Sequence, residues 1–244
     1  MQTTPTQCPY CGVGCGLLAD VDDDGRLSAV RGDPFHPANR GRTCRKPLGL
    51  PFAVAAPDRA VTPLWREDRD ARLEPTGWED VLGTLAARIR AIVGEHGPDA
   101  IAFYISGQLL TEDYYAINKL AKGFLGTNNV DSNSRLCMSS AVAGYTGAFG
   151  FDGPPPAYAD IALADCLLLL GTNTAACHPI LWSRIRDRQA EGAFVICADP
   201  RATPTALGAN LHLPVRPGTD LALLSALLHV VDRDGLTDER FIQR

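Results

Sequence analysis

The sequence predicts an α/β protein: a small β-rich N-terminal module, then Rossmann-like αβα layers in which helices alternate with strands of a largely parallel sheet. Three observations carry that expectation. Short aliphatic runs alternate with helical periodicities from Ala100 to Asp232. Several of those runs end in polar, glycine-containing turns, Gly107-Gln108 and Gly171-Thr172-Asn173 among them. Ahead of them stands a compact cysteine block, Cys8-Pro9-Tyr10-Cys11-Gly12-Val13-Gly14-Cys15, with a lone Cys44 after a gap.

Composition narrows the class. With 244 residues, 45% hydrophobic and 21% charged, the chain has room for one large or two ordinary domains and the make-up of a soluble globular protein. A formal charge of −5 gives no general electrostatic reason to expect nucleic acid or an acidic membrane as partner. No run of about 18 apolar residues is present, so no spanning helix is expected. The opening Met1 to Gln7 lacks a basic segment with an apolar core, and it lacks a twin-arginine pair. Cytoplasm is therefore the expected compartment. Eight cysteines there read as reduced thiols or ligands, not as a disulfide framework.

The cysteine block has the spacing C-x2-C-x3-C-x28-C. Three thiolates on one glycine-rich loop can wrap a cluster while folding brings in the fourth, which points to a single [4Fe–4S] cluster. A zinc ribbon more typically shows two separated C-x2-C knuckles, and only one is present. Between the third and fourth cysteines, Leu17 to Val21 and Arg26 to Arg31 read as strands joined by the turn Asp22-Asp23-Asp24-Gly25. Lys46, two residues past Cys44, would sit in the field of an anionic cluster and could bridge to a second redox centre; a lysine is otherwise a solvated surface charge. These features make residues 1–55 the first module.

Residues 48–75, punctuated by prolines, read as a connector carrying one or two edge strands. Thr76-Gly77-Trp78-Glu79 reads as a capping box with Thr76 as cap, and Val81, Leu82, Leu85, Ile89, Ile92 and Val93 follow at helical spacing. A strand is expected over Ala100 to Ser106 and a helix over Thr111 to Leu125, ending at Gly126. A loop then enters a helix around Cys137. Next come strand Cys166 to Leu170, helix Pro179 to Glu191, strands Ala193 to Ala198 and Leu211 to Val215, and helix Asp220 to Asp232. Residues 56–135 are expected to begin an α/β cofactor domain, and 136–244 to form a second one, cut short.

Two local readings bear on chemistry. Cys137, in Asn133-Ser-Arg-Leu-Cys137-Met138, lies where an extended loop turns into a helix; helix N-termini stabilise thiolates, so it reads as a nucleophile or metal ligand, although free cysteines are also common core residues. Ligands of open α/β sheets bind at the carboxyl ends of strands. The turns at Leu170-Gly171-Thr172-Asn173, Ala198-Asp199-Pro200-Arg201-Ala202 and Gly218-Thr219-Asp220 place glycine, hydroxyl, amide, carboxylate and guanidinium groups there. Each alone is an ordinary turn or cap; three in succession suggest a nucleotide-like ligand. Cys166 and Cys197, inside apolar strands, read as core. His178 reads either as lining a pocket or as packing at a helix start.

Taken together, the cysteine block, Lys46, Gly107-Gln108, the Asn133 to Ser140 segment, Gly171 to Asn173, His178 to Leu181 and Gly218 to Asp220 resemble the N-terminal part of bacterial molybdenum oxidoreductases that carry a bis-molybdopterin guanine dinucleotide cofactor, most of all assimilatory nitrate reductases. The resemblance implies that Cys8, Cys11, Cys15 and Cys44 hold the cluster and that Cys137 is the protein ligand of molybdenum. Lys46 would lie between cluster and pterin. Gln108 and Asn133 would approach the cofactor near the metal. Leu170, Gly171, Thr172, Asn173, Thr174, Ala175, Ala176 and Cys177 would cradle guanosine and phosphates together with Ala198, Asp199, Pro200, Arg201 and Ala202 and with Gly218, Thr219 and Asp220. The implied reaction is two-electron oxygen-atom transfer from nitrate, leaving nitrite, in nitrate assimilation, with electrons from a ferredoxin, a flavodoxin or a nicotinamide-linked subunit. Arg45 and Pro47 depart from the family's small apolar residue and glycine. Formate dehydrogenases of the same family carry a histidine directly after the ligand, where this chain has Met138, which favours nitrate. Because family members are several times longer, the chain is expected to be an N-terminal fragment of such a nitrate reductase, inactive by itself; the alternatives are a formate dehydrogenase of the same family or an inert cluster-binding electron-transfer remnant.

Overall fold

The computed structural model describes residues 1–153 and 155–243. Three strands come first, β1 (Gln2–Gln7), β2 (Gly16–Val21) and β3 (Leu27–Gly32), then the short helices α1 (Arg45–Leu48) and α2 (Leu50–Val54). A two-residue pair, β4 (Leu64–Trp65) and β5 (Glu74–Pro75), precedes the long helix α3 (Trp78–His96). Strand β6 (Phe103–Ile105), helix α4 (Thr111–Asn118), strand β7 (Val130–Ser132) and helix α5 (Ser134–Phe149) follow. The C-terminal part runs β8 (Cys166–Leu170), α6 (Thr174–Cys177), α7 (Pro179–Ala190), β9 (Phe194–Ala198), α8 (Pro204–Gly208), β10 (Leu211–Leu213), α9 (Asp220–Arg233) and α10 (Glu239–Ile242). None of the described helices is long and apolar enough to cross a membrane.

The chain divides into two compact units, one of Met1–Phe52 with Pro156–Arg244 and one of Ala53–Pro155. In the first, β1, β2 and β3 form an antiparallel sheet with β2 in the middle, Gln7 opposite Gly16 and Leu17 opposite Gly32. The β2–β3 hairpin turns as its residues dictate: Asp22 Oδ1 accepts the N–H groups of Asp24 and Arg26, and Gly25 takes φ +78°. Strand β1 was not expected. Gln2-Thr-Thr-Pro-Thr-Gln7 has no apolar alternation, all six residues are exposed, and the segment is a strand only because β2 offers it a ladder. A parallel sheet of order β10-β9-β8 completes this unit, with Val195, Cys197 and Ala198 of the central β9 buried. The last strand stops at Leu213, because Pro214 has no N–H to continue the ladder.

The second unit holds the parallel pair β6–β7, Phe103 opposite Val130 and Ile105 opposite Ser132, and the antiparallel pair β4–β5. Helix α3 starts on Gly77, with no side-chain cap, so the expected Thr76 capping box does not form. Thr76 instead gives its N–H to the Pro63 carbonyl at 3.0 Å, which keeps it extended beside β5 and moves the helix start on by one residue. Pro98–Ala100 form a 3-10 turn, which delays β6 to Phe103. The helix from Thr111 changes to π geometry over Lys119–Leu125 and ends on left-handed Gly126.

Candidate functional site

The cysteine loop is the tip of the β1–β2 hairpin. Cys8 donates its N–H to the Cys15 carbonyl at 2.8 Å and Gly14, at φ +66°, donates to Cys11 at 3.3 Å, so the backbone folds back on itself between the thiols. Cys8 and Cys15 are buried with Val13, Leu17, Ala38 and Ile180, and Cys11 and Cys44 pack against that cluster. Burial pushes the Cys8 and Cys15 thiols up, Cys15 to about 11, and neighbouring thiols push further: Cys15 senses Cys8, Cys11 and Cys44 together. Among the described residues no three His, Cys, Asp or Glu side chains form a site for a single metal ion. The four free thiols share one apolar cluster, Cys8 and Cys15 within it and Cys11 and Cys44 against it, a soft all-sulfur donor set of the kind that holds iron–sulfur clusters.

Two groups that the sequence did not single out hold this loop. Asn39, 1% exposed, mimics a strand: its Oδ1 accepts the Gly16 N–H at 2.9 Å, and its Nδ2 donates to the carbonyls of Gly16 and Arg42 at 2.9 and 2.8 Å. It thereby fixes the return to Cys44. Tyr158 places its hydroxyl on the Gly12 and Val13 carbonyls, at 3.2 and 3.3 Å, between Cys11 and Cys15. His178 lies against the same loop, its Nε2 3.8 Å from where a Cβ on Gly12 would be, and offers no side-chain cap to α7.

Cys44 is the N-cap residue of α1, and one turn of that helix carries Lys46 to the loop after β8. The Lys46 ammonium donates to the Cys177 carbonyl at 3.1 Å, and its charge also bears on Cys8. Sequence positions 131 residues apart are thus joined by one hydrogen bond.

The strand-end turns of β8 and β9 are coupled. Gly171, at φ +56°, gives its N–H to the Ala198 carbonyl at 2.9 Å, and a Cβ there would lie 3.9 Å from Asp220 Oδ1, so the turns at 171, 198 and 220 converge. Thr205, fully buried, accepts the Ala175 N–H at 2.9 Å and donates to Asn173 Oδ1 at 3.1 Å; Thr172 and Thr174 share a hydroxyl contact at 3.1 Å. Asp199 is 5% exposed and spends Oδ1 on the Arg201 N–H at 2.8 Å, with the Arg201 guanidinium 4.0 Å away. Thr219 caps its own turn through the Arg216 carbonyl, next to Gly218 at φ +82°. Leu170, Ala175 and Asp220 are half-buried, whereas Ala176, Cys177, Pro200, Ala202 and Gly218 are exposed, so the convergent turns present backbone and short side chains outward.

In the other unit, the parallel strands β6 and β7 bring Gly107, Gln108 and Asn133 together. Asn133 Oδ1 accepts the Gly107 N–H at 2.5 Å, and a Cβ on Gly107 would come within 2.7 Å of Ser134 Oγ. Asn133 is also the N-cap residue of α5, and its carbonyl receives the Cys137 N–H at 3.3 Å. Cys137 therefore stands in the first turn with its thiol exposed, which removes the core reading of this residue. Cys197 is buried as expected, but Cys166 is exposed, because it opens an edge strand paired only to β9.

Residues 59–242 match the molybdopterin oxidoreductase family, and residues 1–50 match its Fe4S4 domain. The chain belongs to the molybdopterin oxidoreductase family. With these two domains come a molybdopterin cofactor and a [4Fe–4S] cluster. Nitrate reductase of Synechocystis is 43% identical over 99% of this chain and 35% of its own length, and periplasmic nitrate reductase of Desulfovibrio desulfuricans is 45% identical over 97% and 31%. The alpha subunit of F420-dependent formate dehydrogenase 1 from Methanococcus maripaludis is 37% identical over 98% and 34%. Among solved structures, acetylene hydratase from Pelobacter acetylenicus shares the fold, with a TM-score of 0.84 at 23% identity over 98% of this chain and 33% of that one. The chain spans about a third of the length of the curated relatives it matches.

Within this molybdopterin oxidoreductase framework the two departures beside Lys46 are accommodated differently. Pro47 is fully buried in the first turn of α1, where a missing N–H costs nothing. Arg45 points to solvent. Neither displaces Lys46 from Cys177.

Proposed function

We propose that this chain is the cluster- and cofactor-binding part of a molybdenum-dependent nitrate reductase that works in nitrate assimilation. The observation that carries the redox reading is the Lys46 ammonium, which reaches from the cysteine cluster to the Cys177 carbonyl. The choice of nitrate rests on Met138 after Cys137, where formate dehydrogenases resemble one another in having histidine, and on the higher identity to nitrate reductases, 43 to 45%, than to formate dehydrogenase, 37%.

When bound, the bis-molybdopterin guanine dinucleotide supplies the metal for oxygen-atom transfer and the [4Fe–4S] cluster supplies electrons one at a time. This chain's residues do the rest. Cys8, Cys11, Cys15 and Cys44 would hold the cluster, with Val13, Leu17 and Ile180 packed behind the buried Cys8 and Cys15. Lys46 places a positive charge between the cluster and the Thr174–Cys177 turn, favouring the more negative, reduced cluster and holding the two loops in register. Gly171 and Gly218 would let the backbone approach the guanosine and phosphates, and Thr172, Asn173 and Asp220 would supply polar groups to them. Gly107, Gln108 and Asn133 fix the loop that leads to Cys137, whose exposed sulfur is free to ligate molybdenum. The compartment is the cytoplasm, and the electron donor is a separate carrier protein or a nicotinamide-linked subunit.

Nitrite formation with reduced viologen, run beside formate oxidation with a dye acceptor on the same holoenzyme, tests this reading. Nitrite should accumulate in wild type, drop at least about a hundredfold in Cys137→Ser, and fall in Lys46→Met with the iron content retained. Formate oxidation without nitrite formation would overturn it.

A further inference from the structure

A cavity of about 250 Å³ opens between the loop that follows β3 and helix α7, lined by four arginines, Arg40, Arg42, Arg184 and Arg188, and by Asp187 and Glu191. Four cations against two anions leave this lining at net +2 in a chain of net −5. Two of the arginines are neutralised: Arg42 pairs with Asp187 at 2.5 Å, and Arg188 with Asp165 at 2.9 Å and Glu191 at 3.5 Å. Arg184 is not. Its donors go to the carbonyls of Pro37, Ala38 and Tyr158, at 3.4, 3.1 and 3.1 Å, which satisfy its hydrogen bonds but leave its charge. Burial, and then the facing charges of Arg40 and Arg42, hold the Arg184 guanidinium below its ordinary range.

Arg40 is exposed, as Arg42 is, but it alone of the four is without a partner among the described residues. Among the described residues its side chain has neither an ion pair nor a hydrogen bond, and it is the one residue other than glycine with positive φ, +48°. With the other three guanidiniums engaged, the cavity is not a cage of free donors for a small anion. It is a charged face with one open guanidinium, which suits carboxylates arriving from outside. The face also adjoins the cluster loop: the Arg184 guanidinium lies 5.7 Å from the Tyr158 ring centroid, and the Tyr158 hydroxyl bonds the carbonyls between Cys11 and Cys15.

We propose that the Arg40 face is where an acidic, one-electron carrier protein docks to reduce the cluster, its surface carboxylates meeting Arg40 and the uncompensated charge of Arg184. The proposal rests on the redox reading above. Each encounter oxidises the carrier by one electron and reduces the cluster by one. Two encounters supply the two electrons that, with two protons, convert nitrate to nitrite and water.

The test is stopped-flow reduction of the cluster in the holoenzyme by a reduced acidic [2Fe–2S] ferredoxin, a readout independent of nitrate, alongside viologen-driven nitrite formation. In wild type the second-order rate should fall steeply with ionic strength. Arg40→Glu should slow it about tenfold and flatten its salt dependence, Arg40→Lys should restore it, and viologen-driven turnover should be the same in all three. Arg26→Glu serves as control; Arg26 lies in the β2–β3 turn just before β3, about 20 Å along that strand from Gly32, and its variant should match wild type. An Arg40→Glu rate equal to wild type, or a wild-type cluster that ferredoxin does not reduce at low salt, would sink the docking proposal. A wild-type cluster reduced normally by ferredoxin in an enzyme that makes no nitrite with viologen would sink the nitrate reading and leave the docking face standing.

Discussion

Gly32→Ala isolates the strand end that sets the fourth cysteine. Gly32 closes β3 opposite Leu17, and its φ is not in the left-handed region, so alanine's backbone preferences fit there. Space does not. A Cβ at this position would press on the Gly41 carbonyl and lie 2.6 Å from the Arg42 carbonyl oxygen, and these are backbone atoms that cannot swing aside. The Arg42 carbonyl is also the acceptor for buried Asn39 Nδ2 at 2.8 Å, and Gly41 is held by its own N–H to the Asp33 carbonyl at 2.8 Å. Overpacking costs about 1–3 kcal/mol, and a buried amide that loses its partner costs about 1–3 kcal/mol more. The expected loss is thus about 2–6 kcal/mol, a large part of the 5–15 kcal/mol typical of a domain. Because Cys44 lies two residues beyond Arg42, the same shift moves the fourth thiol proposed to hold the cluster. Urea denaturation of the reconstituted protein, with iron determined on the same preparations, should show a lowered midpoint and substoichiometric iron. Gly49→Ala is the control: its φ is −85° and its added Cβ would meet only the Lys46 carbonyl at 3.8 Å, so stability and iron should stay at wild-type levels. A Gly32→Ala protein with full iron and an unchanged midpoint would refute the steric account.

Two further outcomes follow from the same geometry. Gly107→Ala would set a Cβ 2.7 Å from Ser134 Oγ and 2.9 Å from Asn133 Oδ1, so hydrogen exchange should speed up at both 104–110 and 131–137, whereas Gly123→Ala, with open space around it, should leave both segments protected; protection retained in Gly107→Ala would mean the two loops are not coupled. In the metal-free chain the buried Cys8 and Cys15 thiols keep protons that the unfolded chain releases, because their folded values are raised, Cys15 to about 11. The sign is therefore a stability that holds below about pH 9 and declines as pH rises toward 11, read as a falling thermal midpoint, and Cys15→Ala should flatten that decline.

The alternation of helices and strands, the β2–β3 hairpin and the strand-end turns are short-range patterns, and they are legible because 3.6- and 2-residue periods and turn residues act within a few positions. Where local rules compete with pairing, they yield. Thr76 gave its N–H to Pro63 and surrendered the cap, and the polar segment Gln2–Gln7 became a strand through β2. Cys166 illustrates the same limit, since an apolar run does not say whether its strand lies at an edge.

The cysteine spacing alone pointed to a cluster, because ligand type and loop length are written locally, and the family's signature around Cys137 is local too. What only tertiary structure decided are the contacts that close large loops. Lys46 meets Cys177 across 131 positions, Tyr158 meets Gly12 across 146, and the face of Arg40, Arg42 and Arg184 assembles two segments that no sequence window contains. Such contacts depend on where the chain returns in space, and burial and backbone hydrogen bonding elsewhere set that return. Asn39 is the plainest case, an ordinary asparagine in sequence whose one buried amide fixes the path to Cys44.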